Sequence, residues 1–186
     1  MFGLACSADR GDRITVMAED IFDVVDENDQ VIGQAERSRV HREGLRHRAV
    51  HVFLFDRRGR LFLQKRSQNK DSWPGAWDSS CSGHVDSGET YAEAVVRELG
   101  EELGWTPPEA LAEVLKVDAC SETGQEFVIL YRGLADGPFD LNTDEIIGGD
   151  WLTPEEIDHR VRDRPDDYAL SFRYLWSRFR ARTKHL

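Results

Sequence analysis

The chain has no stretch of 18 or more apolar residues, so its 186 residues contain no segment able to cross a bilayer as a helix. Its opening, Met1 to Val16, lacks the basic flank and the apolar run of a secretory signal. Cysteine is scarce: Cys6, Cys81 and Cys120 form neither an even set nor a paired spacing, which argues against a disulfide framework and a zinc site. Reduced thiols and a cytoplasmic setting are the expectation. Basic residues are outnumbered, 24 Lys and Arg against 35 Asp and Glu, for a formal charge of −11. That balance disfavours a nucleic-acid polymer as partner, because such binding depends on Lys and Arg neutralising phosphates. A small anionic ligand stays compatible with it if divalent cations and a few local basic groups offset the charge. Internal repeats and low-complexity tracts are absent as well.

About 40% of the residues are hydrophobic, enough for one domain of this length to bury a sizeable core. Residues 1–18 differ in character from the rest of the chain and read as a disordered leader, leaving 19–186 as a single domain. Ile21–Val25 and Val31–Ile32 read as strands around the polar turn Asp26-Glu27-Asn28-Asp29. Val50–Phe55 and the strand starting at Leu61 make a hairpin across Arg57-Arg58-Gly59-Arg60. Pro74 and Gly75 enforce a loop in Ser72–Trp77. Ala92, Val95, Val96, Leu99 and Leu103 recur at helical spacing over Glu89–Leu103, and Gly104 ends that helix. A further helix is expected over Pro108–Leu115, then strands at Glu126–Tyr131 and Trp151-Leu152. Thr153-Pro154-Glu155-Glu156 starts another helix, and an aromatic-bearing amphipathic helix closes the chain over Asp167–Arg180. Because hairpins dominate the strand connections, the pattern predicts a mixed α/β fold with a largely antiparallel sheet.

The chemistry concentrates on the first long helix. At 3.6 residues per turn, Glu98, Glu101 and Glu102 fall within about 100° of one face, with the apolar stripe centred roughly 120° away. Like charges at these spacings repel, so a compensating cation is expected unless water solvates them. A cluster of hard oxygen ligands suits Mg²⁺. The triplet alone fits both a solvated acidic face and a metal site.

Its surroundings separate the two readings. Gly83, Glu89, Arg97-Glu98-Leu99, Glu101-Glu102, Gly104 and Trp105 follow the spacing G-x5-E-x7-R-E-U-x-E-E-x-G-U, where U is bulky and apolar. Nine fixed positions in 23 residues resemble the Nudix box of a family of diphosphate-cleaving hydrolases. The resemblance implies an α/β/α sandwich with a catalytic loop–helix–loop. It implies Glu98 and Glu102 as metal ligands, Glu101 as ligand or metal-linked base, and the Gly83 carbonyl as a further ligand. Arg97 and Glu89 become a bracing ion pair, and Mg²⁺ (or Mn²⁺) the cofactor. Glu145, on a loop before a late strand, is the candidate for an additional catalytic carboxylate.

From about Phe22 to Ile157 the chain also resembles the branch of the family related to isopentenyl diphosphate isomerase. The features are Gly44–Ala49, Gln64–Ser67, Trp73-Pro74-Gly75 and Ser82-Gly83-His84. In that branch His47, His84 and Glu126 match ligands of a second metal, with His41 able to supply another, while the place of a fifth ligand falls on Gly124. Arg66 and Lys70 match diphosphate-binding positions, and Arg48 is a third candidate. Trp73 and Trp77 are expected to pack. The isomerases carry a reactive Cys where this chain has Ser82; Cys81, one residue earlier, should point to the opposite face of its strand. With an intact box, that departure favours hydrolysis of a nucleoside diphosphate derivative or similar organic diphosphate. The alternatives are an isopentenyl diphosphate isomerase and a noncatalytic nucleotide-binding module. Sequence leaves the oligomeric state open, a homodimer included.

Overall fold

The computed structural model describes residues 19–183, so the leader expected over 1–18 lies outside the described residues. β1 (Ile21–Val25) and β2 (Val31–Glu36) form an antiparallel hairpin. Its turn is tied by the Asp26 carboxylate, which accepts from the amides of Asn28 at 2.8 Å and Gln30 at 2.9 Å. Helix α1 (Arg37–Glu43) folds back so that Val40 packs with Phe22 and Ala35 in a small satellite core.

The main sheet has seven strands: β3 (His47–Phe55), β4 (Leu61–Arg66), β5 (Trp77–Asp78), β6 (Cys81–His84), β7 (Ala112–Val117), β8 (Glu126–Leu134) and β9 (Ile146–Leu152). β3 runs parallel to β8 along its whole length, and every other pairing is antiparallel. The β3–β4 hairpin turns on Asp56, whose Oδ1 accepts from the amides of Arg58 and Arg60 at 2.9 and 2.8 Å. The two strands pair only at Phe55↔Leu61 and then part company. β3 continues against β6, while β4 takes β5 and β9 as partners. That fork opens the sheet where the site lies.

Helices cover both faces, in the α/β/α sandwich the sequence leads one to expect. On one side Val50, Val52 and Leu54 of β3 meet Val95, Leu99 and Leu103 of α2 (Tyr91–Leu103). On the other, Phe53, Phe55, Leu61 and Leu63 pack under α3 (Pro154–Asp163) and the Phe172–Phe179 stripe of α4 (Leu170–Thr183). Leu99 and Leu103 are fully buried, each stabilising the fold by about 1.5–3 kcal/mol.

Two expectations are corrected. Pro108–Leu115 is not helical: residues 112–117 are β7, an edge strand that pairs with β8 and absorbs a bulge between Glu113 and Leu115. Unmet backbone groups beside β8 outweigh the local helical tendency of Glu109–Leu115. The predicted stripe on α2 is also rotated. Ala92 and Val96 are exposed, and the buried face runs through Ala94, Val95, Leu99, Glu102 and Leu103. One catalytic candidate therefore sits on the packed face of its helix rather than 120° from it.

Candidate active site

Helix α2 is positioned by a capping box: Thr90 Oγ1 accepts from the Glu93 amide at 3.2 Å, and Glu93 Oε2 accepts from the Thr90 amide at 2.9 Å. Arg97 then organises the carboxylates around it. It donates to Glu89 from Nη2 at 2.8 Å and Nε at 3.0 Å, and to the His84 carbonyl at 2.9 Å. Its Nη1 reaches Glu98 at 2.8 Å and Glu101 at 3.1 Å. Gly83 lies directly under the Glu98 carboxylate, where any Cβ would collide with it. A side chain here would push the Glu98 carboxylate out of its place against Arg97.

Glu102 occupies the fork of the sheet. Its Oε2 accepts from the Ser82 amide on β6 at 3.1 Å and from Gln64 Nε2 on β4 at 3.3 Å, and the residue is 3% exposed. Burial pushes the Glu98 carboxyl up to about 7, with Glu102 adding repulsion and Arg97 opposing both. Burial likewise raises Glu102, against the attraction of Lys70. Lys70 is paired with Glu145 at the same rim, and burial lowers its ammonium pKa. Arg97 clamps Glu98 and Glu101, the buried Glu102 has no direct ion-pair partner among the described residues, and Gln64 Oε1 beside it is buried without a partner. Such a surplus of hard oxygen donors fits a divalent cation.

A second donor set lies across β6. The ring nitrogens of His41, His47 and His84 can bring one ligand atom each within 4.8 Å of one another. Glu126 Oε1 stands 3.2 Å from His84 Nε2 and 3.5 Å from His47 Nε2. His47 Nδ1 lies 2.9 Å from the Leu45 carbonyl, which holds the proton there and leaves Nε2 with a lone pair. That Nε2 is buried and has no hydrogen-bond partner. Burial lowers His41 to about 4 and lowers His84 also, keeping both rings neutral as ligands must be. Phe22 covers the group, its ring 4.6 Å from that of His84. The donors present fit a divalent cation without specifying which.

The carboxylate set lines one cavity of about 520 Å³ together with His41, His84 and Glu126 of the second set and with Arg66, Lys70 and Glu145, while His47 lies buried behind that wall. Arg66 is held by Asp78 at 3.0 Å and by the Ser72 carbonyl at 3.2 Å. Arg48, the third candidate for the diphosphate, is not part of the cavity lining but on the opposite face of β3. There it donates to Asp29 at 2.6 Å, alongside Lys116 and Tyr91. An alternation of faces that puts Ala49 and His51 toward the cavity necessarily turns Arg48 away. Cys81 is fully buried beside Val50 and Val52 and does not line the cavity; burial, with Glu102 and Glu98 nearby, raises its thiol pKa. Trp77 packs in the core, whereas Trp73 lines the cavity and is 40% exposed, with a positive φ of 51°. Sequence reasoning missed Phe22, Arg37, His51, Asp78 and Asn142 as lining residues. None stands in a motif; each reaches the cavity only through long-range pairing.

The NUDIX domain model matches residues 45–174. A Nudix hydrolase of Yersinia pestis is 36% identical over 154 residues, covering 83% of this chain and 84% of that protein. An isopentenyl-diphosphate Delta-isomerase of Burkholderia multivorans is 34% identical over 158 residues, covering 83% and 90%. Among solved structures, DR0079 from Deinococcus radiodurans superposes with a TM-score of 0.69 at 35% identity, over 78% of this chain and 90% of that one. The chain belongs to the Nudix family. It is an enzyme of that family, a hydrolase able to act on diphosphate-containing substrates in general. The relatives are divided between hydrolase and isomerase names and assign it to neither branch. Among the described residues, no helix is long and apolar enough to cross a membrane.

Proposed function

We propose that this protein hydrolyses a diphosphate bond in a nucleoside diphosphate derivative or similar organic diphosphate, acting in the cytoplasm with Mg²⁺ (or Mn²⁺) as cofactor. The observation that carries the reading is the carboxylate cluster itself. Glu98 and Glu102 are buried together with raised pKa values, a costly arrangement that a bound divalent cation relieves. Glu98, Glu101, Glu102 and the Gly83 carbonyl would hold the metal. When bound, it neutralises the diphosphate and makes a coordinated water more acidic.

The chain's own groups do the rest. Arg97 fixes the rotamers of Glu98 and Glu101 and, through Glu89, locks the loop that follows Gly83. Lys70 reaches the cavity with a charge that can pass from Glu145 to a phosphate oxygen. Glu145, released from that pair, accepts a proton from the attacking water. Arg66 is a weaker phosphate ligand, since Asp78 already neutralises it. His41, His47, His84 and Glu126 form a candidate second cation site.

The histidine set favours a second reading, isopentenyl diphosphate isomerisation, because it matches that branch. Against it stand Ser82 at the thiol position and a Cys81 buried off the cavity with a raised pKa.

The test is turnover with Mg²⁺ on nucleoside di- and triphosphates, nucleotide sugars, dinucleotides and isopentenyl diphosphate. Metal-dependent release of phosphate or nucleoside monophosphate is expected, with kcat reduced at least a hundredfold in Glu102→Gln at unchanged circular dichroism. Full activity in that variant would overturn the site. Conversion of isopentenyl to dimethylallyl diphosphate without hydrolysis would install the second reading.

A further inference from the structure

The wall of the cavity that faces away from α2 is built from polar side chains, and its centre is His51. On β3 the alternation places His47, Ala49 and His51 on one face. Ser82 on β6 is the direct antiparallel partner of His51, so the two side chains share that face at about 5 Å between Cβ atoms. Both line the cavity, with Asp78 and, from the first turn of α4, Ser171. The Ser82 amide donates to Glu102, so this wall begins one residue from the hydrolytic carboxylates.

His51 is 4% exposed and its ring is tied from behind. Nδ1 lies 2.8 Å from Ser79 Oγ and 3.9 Å from Asp78 Oδ1, while Asp78 is fixed by the Ser79 amide at 2.7 Å and by Arg66 at 3.0 Å. Nε2 has no hydrogen-bond partner among the described residues. If Nδ1 donates to Ser79, Nε2 offers a lone pair; if Ser79 donates to Nδ1, Nε2 offers a proton. A hydroxyl group satisfies either case, since it both donates and accepts. The charges on this wall also cancel, Arg66 against Asp78, beside an imidazole that burial holds neutral. It suits a neutral, hydroxyl-bearing group better than another phosphate. A hydrocarbon seated there would strip water from His51, Ser82 and Ser171 and give them no partner.

We infer that His51 is a specificity-determining residue whose Nε2, together with the Ser82 hydroxyl, hydrogen-bonds a hydroxyl of the organic group attached to the diphosphate, such as a ribose or hexose ring. The inference rests on the hydrolase reading for the bond that is cut; what His51 binds is a separate property with its own measurement. The Ser79–Asp78–Arg66 chain behind the imidazole sets its orientation, and Trp73 at the mouth leaves room for the remainder of the ligand.

Saturation-transfer NMR on the full chain, once with chelator and once with Mg²⁺, reads binding independently of turnover. The probes are ADP-ribose, UDP-glucose and isopentenyl diphosphate. Sugar ring protons of at least one nucleotide probe should receive the strongest saturation, and His51→Leu should cut that signal at least threefold relative to the base protons. His51→Asn, which keeps a polar group, should recover at least half of it. If the leucine variant fails to fold by circular dichroism, Ser82→Ala should show the same selective loss. Sugar signals unchanged in both variants, sugar protons unsaturated in both conditions, or stronger saturation of the isopentenyl protons would each overturn the inference. A chain that binds the sugar through His51 yet hydrolyses no diphosphate would remove the hydrolase reading and leave this one standing.

Discussion

At the scale of single residues, Glu98 shows how the site stores unfavourable free energy. Burial first, then Glu102, raise its carboxyl to about 7 despite Arg97. Unfolded, the same carboxyl titrates near 4.5. The folded chain therefore holds that proton more tightly, and the contribution of Glu98 to the stability of the metal-free protein falls as pH rises from about 4.5 to about 7, opposite in sign to that of His41, whose lowered pKa favours folding as pH rises. The loss attributable to Glu98 is up to ~3 kcal/mol. In denaturant unfolding with chelator at pH 5 and pH 7.5, the change in stability of Glu98→Gln should lack this downward component, so that the variant gains on the wild type as pH rises. An identical slope in the variant would mean that the strain lies elsewhere. The box spacing pointed to Glu98, Glu101, Glu102, Arg97 and Glu89 because all depend on one helix and the loop before it. It was silent on His51 and Asp78, whose surroundings are assembled by residues on β3, β4 and β6 that are far apart in sequence.

Among the elements, α2 is the one on which the chemistry hangs, and its start is set by Thr90 and Glu93. Thr90→Ala removes the side-chain half of the capping box and should cost about 1 kcal/mol. For a chain of this size that is a drop of about 2–4 °C in Tm, readable by calorimetry. Activity should fall only slightly, because Arg97 still anchors the loop through Glu89 and the His84 carbonyl. A large loss of activity at full stability would show that the cap positions Glu98 directly. This helix was legible because its apolar periodicity and its terminal Gly104 agree, although the Thr90 cap was not read. Its rotation was not, since Val96 and Val95 are equivalent to a periodicity count and only the sheet beneath decides between them. The stretch 108–115 misled for the opposite reason. Alone it favours a helix, but its neighbour β8 offers a ladder of unpaired backbone groups.

Over the whole molecule, the carboxylate set and three members of the histidine set, His41, His84 and Glu126, line one cavity at the fork between β3 and β4. A cation that binds the folded chain and not the unfolded one stabilises it by mass action, by about 2.7 kcal/mol at a hundred times Kd, and so raises Tm. Thermal unfolding with increasing Mg²⁺ should show that rise in the wild type and lose most of it in Glu98→Gln/Glu102→Gln. His47→Ala should leave the Mg²⁺ response of the carboxylate set in place while abolishing any additional stabilisation by Mn²⁺ at the histidine set. Equal responses in all three proteins would remove metal binding from both sets.

The sequence by itself determined the family resemblance, the helix that bears the carboxylates and the β3–β4 hairpin. These come from spacing along the chain, which helical and strand geometry convert directly into a face or a turn. Tertiary structure decided what those residues confront. It turned Arg48 out of the cavity toward Asp29, buried Glu102 in the fork, brought Phe22 over the histidines and set His51 opposite Ser82. Each of these depends on strand pairing between residues remote in sequence, and a periodicity carries no information about which remote strand lies alongside.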